Sequence, residues 1–583
     1  MAVDPQNPDI MYAAAGDNLF KSANGGLNWS APSKLFAMPH ALAVVPQHRY
    51  TLLAATGSGI YRSTSDGSLW MPAEGGSGSA NIFALDPISP DDIYAVLNAQ
   101  VVRSTDGGVT WSPMGTGSDD SEFATVLATH RQNPGVVYAG TDRGLYVSSD
   151  SDPSEATGVG IVNLDATDAE LAFTAYGVDG TPISGSGITN PATRTLKAGA
   201  QVSILDVELW GEGLAAAQPV GWFEVESSAR IDGFFLTFNR SLSTIDGAGA
   251  FSKTLRSWLF TEITPGGSTQ IHVANPNLET ANVRFELVDP GGITRGECAR
   301  SIPPKGALAE PLTSLFPELV CSPSDYLRVR SDQPVVPYEN MGKVSQFIAG
   351  LDGQDSSGGA ASLFCPQYVT GGQDWSTTLT IVNPSDQEAT AELRFIGDDG
   401  AQVGSARTVT IPGKGKTYID DPKFFVAAGS VQVQGYVAIR SSGPAGAPLI
   451  GSATFGDPAR RTLGSALPLV QTLTSDLVFS QVASNATWWT GVTIVNPGDN
   501  AATLKMQLFD KTGSAIRSRT LVIPPGQRIS KLLTEQEYFK DILGLDINSG
   551  YIRVSGDQGV AAFAAFGTHR MSAVAAVPAQ VVR

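Results

Sequence analysis

The sequence is poor in charged residues, and those it has are mostly acidic. Charged residues make up 16% of the 583 residues, and the formal net charge is −18. An acidic chain of this kind argues against nucleic acid or an anionic membrane as a partner. No apolar run reaches the roughly 18 residues that a transmembrane helix needs, so membrane insertion is not expected. No signal-peptide pattern follows Met1 either.

Histidine and cysteine are also scarce, which argues against a metalloprotein. The five histidines are scattered without metal-ligand spacing, and no Cys-x-x-Cys pair is present among Cys298, Cys321 and Cys365. We therefore expect no bound metal and no cofactor. The densest acidic group, Asp119, Asp120 and Glu122, is interpreted as a solvated loop. A calcium site is the alternative there, although the spacing is not that of an EF-hand loop.

The motifs of common enzyme classes are missing as well. The chain contains no Gly-x-Ser-x-Gly elbow, no His-Glu-x-x-His and no Walker loop. We therefore expect no catalytic residue, and we expect the chain alone to show no hydrolase activity. A glycosidase pair of carboxylates stays open, because acidic residues are plentiful.

What the sequence does contain is a short motif repeated at a fixed interval. Ser104-Thr-Asp-Gly-Gly-Val-Thr-Trp111 fits Ser-x-Asp-x-Gly-x-x-Trp, and two looser copies begin at Ser22 and Ser63, each 41 residues before the next. A period near 40 residues fits a propeller blade of four short strands. The polar residue and glycine predict a tight turn, and the tryptophan predicts an apolar face beneath it. The motif residues are Ser22, Asn24, Gly26, Trp29, Ser63, Asp66, Gly67, Trp70, Ser104, Asp106, Gly108 and Trp111.

These residues resemble the Asp-box (BNR) repeat of sialidases, sortilin-type receptors and xyloglucan-active hydrolases. The resemblance covers about the first quarter of the chain. It implies a β-propeller in which the box is a structural turn without chemistry. Three copies and part of a fourth predict three to four blades, fewer than most propellers have, so we expect further blades upstream.

A longer repeat follows, marked by an apolar run that ends in asparagine. Asn163, Asn275, Asn383 and Asn496 stand 112, 108 and 113 residues apart. After each of them apolar and polar residues alternate, which predicts a half-buried antiparallel strand. About 110 residues with seven or eight short strands predict an immunoglobulin-like sandwich, similar to the tandem repeats of bacterial secreted and surface proteins.

The predicted fold class is therefore all-β, a partial Asp-box propeller followed by four tandem immunoglobulin-like β-sandwiches. The predicted boundaries are 1–143 for the propeller and 144–256, 257–360, 361–474 and 475–583 for the sandwiches. The strand Leu145–Ser148 fits both the fourth blade and the first sandwich, and the missing fourth box favours the sandwich.

Two further predictions concern single residues. Cys298 and Cys321 are expected to form a disulfide within the second sandwich, because both flank the same excursion between strands. Trp488 and Trp489 are adjacent, so alternation places them on opposite faces of a strand. Packing at a domain junction is the interpretation that we favour, and stacking of the outward-facing tryptophan on a sugar ring is the alternative.

Two functional classes remain open. The first is a non-catalytic protein, extracellular or at the cell surface, whose propeller displays or binds a ligand and whose sandwiches act as spacers or adhesion modules. Its partner would be a protein or a polysaccharide. The second is a fragment of a secreted glycoside hydrolase, sialidase-like or xyloglucanase-like, whose catalytic blades are missing.

Overall fold

The chain is almost entirely β-structure. The computed structural model describes residues 1–4, 7–31, 33–35, 37–45, 50–86, 91–114, 124–129, 137–141, 145–148, 155–216, 220–239, 245–250, 253–264, 269–343, 347–371, 375–426, 432–442, 447–457, 464–485, 488–542, 547–569 and 574–582. It forms two compact units, Met1–Pro153 and Ser154–Arg583. No helix in these described ranges is both long and apolar enough to cross a bilayer. The all-β prediction is confirmed.

The first unit consists of consecutive antiparallel meanders. The first sheet contains β1 (Ala2–Asp4), β2 (Asn7–Ala15), β3 (Asn18–Ser22) and β4 (Ser33–Lys34), and the second contains β5 (Pro39–Val44), β6 (Leu52–Thr56), β7 (Gly59–Ser63) and β8 (Met71–Ser77). The third contains β9 (Ala80–Leu85), β10 (Ile93–Leu97), β11 (Gln100–Ser104) and β12 (Ser112–Pro113), and the fourth contains β13 (Ala124–Thr129), β14 (Val137–Thr141) and β15 (Leu145–Ser148).

Neighbouring sheets of this unit stack face to face. Leu19 and Tyr12 of the first sheet share a core with Leu52 and Trp70 of the second, and the second and third sheets share a core that includes Trp111. The strands β6 and β10 are buried on both faces and are rich in small or β-branched residues. Stacked meanders of this kind are the arrangement of β-propeller blades.

Each box forms a turn held by its serine. The hydroxyls of Ser22, Ser63 and Ser104 accept hydrogen bonds from the backbone N–H of Gly26, Gly67 and Gly108, at 2.9, 3.1 and 2.8 Å. These glycines have φ of 88°, 79° and 85°, a left-handed region that glycine adopts without steric cost.

The second box differs from the prediction in one residue. Asn24 and Asp106 accept a bond from the N–H four residues on, and Ser65 does so in the second box. Ser65 therefore takes the place of the box acid that was assigned to Asp66. Asp66 instead accepts hydrogen bonds from the Tyr12 hydroxyl and the Lys21 ammonium group of the neighbouring sheet.

The strand Leu145–Ser148 belongs to the first unit. It pairs with β14 in antiparallel register from Val137↔Ser148 to Gly140↔Leu145. The prediction that it opens the first sandwich is wrong, and the predicted boundary after residue 143 precedes the division at Pro153. The apolar pattern of this strand satisfies both folds, so only the pairing of its backbone decides between them.

The second unit contains four repeats, each made of two sheet layers. Repeat 1 (residues 155–250) contains β16 (Glu155–Asn163), β17 (Ala169–Tyr176), β18 (Ala192–Leu196), β19 (Gln201–Leu205), α1 (Asp206–Trp210), a 3-10 helix (Glu212–Ala216), β20 (Trp222–Ser227), β21 (Ile231–Asn239) and β22 (Ile245–Gly249). Repeat 2 (residues 253–355) contains β23 (Leu255–Phe260), β24 (Gln270–Ala274), β25 (Ala281–Val288), β26 (Thr294–Ile302), β27 (Ala307–Pro311), α2 (Leu312–Leu315), β28 (Tyr326–Lys343), β29 (Phe347–Asp352) and β30 (Gln354–Asp355).

The remaining two repeats follow the same plan. Repeat 3 (residues 360–470) contains β31 (Ser362–Thr370), β32 (Ser376–Val382), β33 (Ala389–Gly397), β34 (Arg407–Ile411), β35 (Lys416–Ile419), β36 (Val433–Ser442), β37 (Ile450–Gly456) and β38 (Gly464–Pro468). Repeat 4 (residues 474–582) contains β39 (Thr474–Phe479), β40 (Trp488–Val495), β41 (Ala502–Asp510), β42 (Ala515–Ile523), β43 (Arg528–Leu532), a 3-10 helix (Lys540–Ile542), β44 (Gly550–Thr568), β45 (Val574–Pro578) and β46 (Gln580–Val581).

In each repeat the side chain of the marker asparagine hydrogen-bonds backbone groups that connect the two sheet layers; we call this arrangement the asparagine latch. The Asn163 amide nitrogen donates to the carbonyl oxygens of Thr167, Leu196 and Lys197, and its side-chain oxygen accepts from the N–H of Asp165. Asn275, Asn383 and Asn496 make the corresponding bonds. A buried amide that is fully hydrogen-bonded in this way fixes the turn after the strand.

The repeats close into a ring. An aromatic side chain in each repeat donates to a backbone carbonyl of the next: Trp222 to Lys305, Tyr326 to Lys414 and Tyr436 to Gly526, at 2.7, 2.7 and 3.0 Å. Tyr551 of repeat 4 donates in the same way to Gly199 of repeat 1, at 2.8 Å. The strands β22, β29, β38 and β45 also contact one another in cyclic order. The repeats are therefore not a linear series of spacers.

Candidate functional site: an aromatic cleft between repeats 3 and 4

A cleft of about 270 Å³ opens between repeats 3 and 4. Four aromatic side chains line it, two from each repeat: Trp375, Phe455, Trp489 and Phe563. Polar side chains surround them, namely Gln367, Gln432, Gln434, Thr493, Ser530, Lys531 and Glu535. An apolar surface with a few polar groups around it is the usual composition of a small-molecule site.

Trp489 is held flat against the neighbouring strand. It stands near the start of β40, and its indole N–H donates to the carbonyl oxygen of Thr568 at 3.0 Å. Gly567 lies beneath the ring, where an added Cβ would stand 2.3 Å from Cζ2 of the indole. Only glycine leaves room for the ring there. One face of Trp489 is covered by backbone, and the half-exposed ring borders the cleft.

Trp375 and two phenylalanines complete the aromatic surface. Phe455 and Phe563 are buried and meet edge to face, with ring centroids 6.2 Å apart. Trp375 packs partly buried against the same cluster. The floor of the cleft therefore belongs to the packed contact between repeats 3 and 4, so a ligand would meet a preformed surface.

Arg528 holds two glutamine side chains of the cleft, Gln367 directly and Gln434 through Asp398. This arginine side chain is fully buried, and its guanidinium donates to the Gln367 side-chain oxygen and to the Pro366 and Gly435 carbonyl oxygens at 2.9, 2.9 and 2.5 Å. It also pairs with Asp398, and the Gln434 amide donates to the same carboxylate. These contacts preorganise two amides that can donate to and accept from a ligand.

The charged groups of the cleft are Lys531 and Glu535. Lys531 lies within ion-pair distance of Glu535 and Glu537, at 3.4 and 3.6 Å, and the nearby Glu535 carboxylate raises the pKa of Lys531. Glu535 also accepts a bond from the N–H of Leu532 at 2.9 Å. Glu535 is the one carboxylate among the described residues that line the cleft. Glycoside hydrolysis by two carboxylates needs a second one across the sugar.

The adjacent tryptophans have different neighbours, and both are partly buried. Trp489 borders the cleft, whereas Trp488 packs beside Ile245 and Ala575, where repeats 1 and 4 meet. Sequence reasoning did not single out Trp375. It stands eight residues before Asn383, as Trp488 does before Asn496, but nothing in that spacing indicates that it lines the same cleft as Trp489.

The other predicted site residues lie outside the cleft. Trp70 and Trp111 are 2% and 4% exposed, whereas Trp29 is 39% exposed. Burial acts to raise the pKa of Asp106, but hydrogen bonds from Thr110, Ser104 and Val109 hold it below its usual value. These contacts are those of a turn. The group Asp119, Asp120 and Glu122 lies outside the described residues.

The cysteines are unbridged. Cys298, Cys321 and Cys365 are free thiols, so the predicted Cys298–Cys321 disulfide is not formed in this structure. The thiols of Cys298 and Cys321 pack against the core of repeat 2. Burial raises the pKa of all three, that of Cys365 to about 12. No group of three or more histidine, cysteine or acidic side chains in the described ranges is arranged to hold a metal ion.

Comparisons with known proteins give distant structural neighbours. No protein-family model matches the chain, and no curated protein matches it. The GH74 xyloglucanase from Xanthomonas campestris is 18% identical with a TM-score of 0.19, over 25% of this chain and 36% of that chain. This chain thus spans about a third of that enzyme's length.

Two other neighbours cover more of the chain. The GH74 enzyme from Niastella koreensis is 12% identical with a TM-score of 0.22, over 90% of this chain and 72% of that chain. PorZ, an essential bacterial surface component of the type-IX secretion system of Porphyromonas gingivalis, is 10% identical with a TM-score of 0.16, over 100% of this chain and 98% of that chain. At such TM-scores these likenesses carry no argument about activity.

Proposed function

We propose that this chain is a non-catalytic binding protein, extracellular or at the cell surface, and that the cleft between repeats 3 and 4 binds one or two sugar units of a polysaccharide. The observation that carries the proposal is that Trp375 and Trp489 line the same cleft as the anchored amides of Gln367 and Gln434. Indole faces stack on the C–H face of a pyranose, and amides pair with its hydroxyls.

The architecture supports a binding role. We further propose that the first unit is a partial Asp-box propeller of three to four blades and that each repeat of the second is an immunoglobulin-like sandwich. The ring places the cleft between two repeats that are joined by Arg528 and by the Tyr436–Gly526 hydrogen bond. Sites built on rigid elements hold their ligand contacts in place better than sites on loops do.

The second candidate is a fragment of a secreted glycoside hydrolase. The box turns of the first unit favour it through the resemblance to xyloglucan-active and sialidase families. The cleft supports it less well, because Glu535 has no second carboxylate opposite it among the described lining residues. Hydrolysis at this cleft is therefore not expected, and an enzyme would need a different site.

Affinity electrophoresis through gels that contain xyloglucan, mixed-linkage β-glucan or a sialylated glycoprotein tests the proposal. We expect at least one polysaccharide to retard the native chain and Trp489→Ala to lose the retardation. Trp29→Ala, which removes an exposed tryptophan outside the cleft, is the matched control. Release of reducing sugar from the same polymers, abolished by one carboxylate substitution, would favour the hydrolase candidate. Equal retardation of the native chain and Trp489→Ala would contradict the proposed site.

A further inference from the structure

Among the described strands, the sheet of repeat 1 has an unpaired edge at a position where the other repeats have a paired one. The strand that corresponds to β20 is paired on both sides in each of them: β28 lies between β25 and β23, β36 between β33 and β31, and β44 between β41 and β39. In repeat 1, β20 pairs with β17. No strand among the described residues lies along its other edge.

The open edge leaves apolar side chains partly uncovered. Phe223 and Val225 of β20 are half-buried. Their counterparts Leu327 and Val329, Val437 and Ile439, and Ile552 and Val554 are all 0% exposed. In those repeats the first strand supplies the cover through residues such as Phe260, Leu363 and Phe479. The edge of β20 is therefore an apolar groove shaped for one additional strand.

The junction between repeats 1 and 2 differs from the other three in a related way. Elsewhere a long side chain donates to a carbonyl oxygen within the first strand or just after it. These hydrogen bonds run from Lys416 to Thr261, from Arg528 to Pro366 and from Gln201 to Ser480, at 2.7, 2.9 and 3.2 Å. Ala307 occupies the corresponding place in repeat 2 and has no side chain that could donate. The described residues of this junction therefore lack the side-chain hydrogen bond that the other three junctions make to the first strand.

The strand β20 carries acidic residues at two positions where the corresponding strands of the other repeats carry basic or neutral ones. The positions of Glu224 and Glu226 correspond to Arg328 and Arg330 in repeat 2, to Ala438 and Arg440 in repeat 3, and to Arg553 and Ser555 in repeat 4. Glu224 accepts a hydrogen bond from Lys305 at 2.9 Å, and Glu226 is exposed. A strand added at this edge would meet a carboxylate where the other repeats carry arginine or serine.

From these observations we infer that the β20 edge binds an extended segment of a partner protein by β-strand addition, and that this segment alternates apolar residues with basic ones. The apolar residues fill the groove over Phe223 and Val225, and a lysine or arginine faces Glu226. Exposed sheet edges recruit strands through backbone hydrogen bonds, and the groove selects the side chains. The first strands of repeats 2, 3 and 4 are engaged in their own sheets, and Leu145–Ser148 is paired with β14.

The probe is a synthetic peptide with the sequence of residues 475–481, Ser-Asp-Leu-Val-Phe-Ser-Gln, in which Asp476→Lys supplies the basic residue. In repeat 4 the register Asp476↔Ser555 and Phe479↔Ile552 shows how this sequence lies on β44. The same register on β20 sets the new lysine opposite Glu226 and the phenylalanine opposite Phe223. Fluorescence polarisation of the labelled peptide measures binding to the full chain.

We expect saturable binding of the lysine peptide, at least tenfold tighter than binding of the unchanged peptide. Glu226→Lys, a change at an exposed position, should reverse that preference, and Val225→Lys should abolish binding of both peptides. Circular dichroism checks that each variant is folded. Binding that is absent, or unaltered by Glu226→Lys, overturns the inference. Concentration-dependent dimerisation of the chain that Val225→Lys abolishes, without peptide binding, would overturn it in favour of a second copy as the occupant.

Discussion

The hydroxyl of Tyr551 donates a hydrogen bond to the carbonyl oxygen of Gly199, 352 residues earlier in the chain, at 2.8 Å. This bond joins the last repeat to the first through the same donor and acceptor groups as the bond from Tyr436 to Gly526 between repeats 3 and 4. Gln201 adds a second link, since its amide donates to Ser480 and Gln481. The ring closes through contacts that repeat around it, so each junction supports its neighbours.

We expect Tyr551→Phe to lower the free energy of unfolding of the second unit by about 1 kcal/mol, because one neutral hydrogen bond is lost and the ring is kept. Tyr436→Phe is the matched variant and should cost a similar amount. Urea denaturation followed by circular dichroism measures both. An effect of Tyr436→Phe without any effect of Tyr551→Phe would show that repeats 1 and 4 are not joined as described.

Two tryptophans at the same position of the box motif differ in burial, so we expect them to differ in their contribution to stability. Trp70 is 2% exposed between the first and second sheets, and we expect Trp70→Ala to destabilise the first unit by about 3–5 kcal/mol, as buried aromatic deletions do. Trp29 occupies the same motif position but is 39% exposed, so Trp29→Ala should cost much less. Thermal unfolding of the isolated variants tests this order, and equal losses would contradict it.

Local features could be predicted from the sequence, and contacts between distant repeats could not. The box turns depend on residues within eight positions, and the asparagine latch depends largely on the repeated spacing, so both are visible in the pattern. Ser65 and Asp66 could not be told apart, because either can bond a nearby backbone N–H. The ring depends on the hydrogen bond from Tyr551 to Gly199, and the cleft depends on Trp375 and Trp489 lining one surface from two different repeats. No periodicity in the sequence encodes either relationship.

The pairing of Leu145–Ser148 shows a second limit. Its apolar character and its distance from Asn163 fit the first strand of a sandwich, and its place after β14 fits the third strand of a blade. Adjacent strands joined by a short connection pair more readily than distant ones, and the blade offers that neighbour. The open edge of β20 is the structural consequence in repeat 1.

The burial of Glu339 leads us to expect that the free energy of unfolding of the second unit depends on pH. Glu339 is 1% exposed where repeats 2 and 3 meet, and burial first, then the neighbouring Glu262 carboxylate, raises its pKa well above the usual value, although Lys416 opposes the shift. The folded state therefore holds a proton that the unfolded chain releases above about pH 4.3. Stability from this group is present below that pH and is lost as pH rises toward the folded pKa, at about 1.4 kcal/mol per pH unit.

Glu339→Gln removes this titration while keeping the shape of the side chain. We expect the stability of the native chain relative to the variant to fall with rising pH above about 4.3. Chemical denaturation across a pH series measures the difference, and Glu318→Gln at an exposed position is the control. A relative stability that rises with pH, or that does not change, would show that Glu339 is ionised in the folded protein.

Isothermal titration calorimetry on the aromatic cleft tests the proposed function most directly. An oligosaccharide from the polysaccharide that retards the chain in gels is titrated into the native protein, Trp375→Ala, Trp489→Ala and Trp29→Ala. We predict one site per chain, an affinity at least tenfold lower for each cleft variant, and no change for Trp29→Ala. Stacking on one aromatic ring contributes roughly 1 kcal/mol or more beyond area burial, which is consistent with such a loss. Binding that survives in both cleft variants with unaltered affinity would contradict the assignment of this cleft as the ligand site.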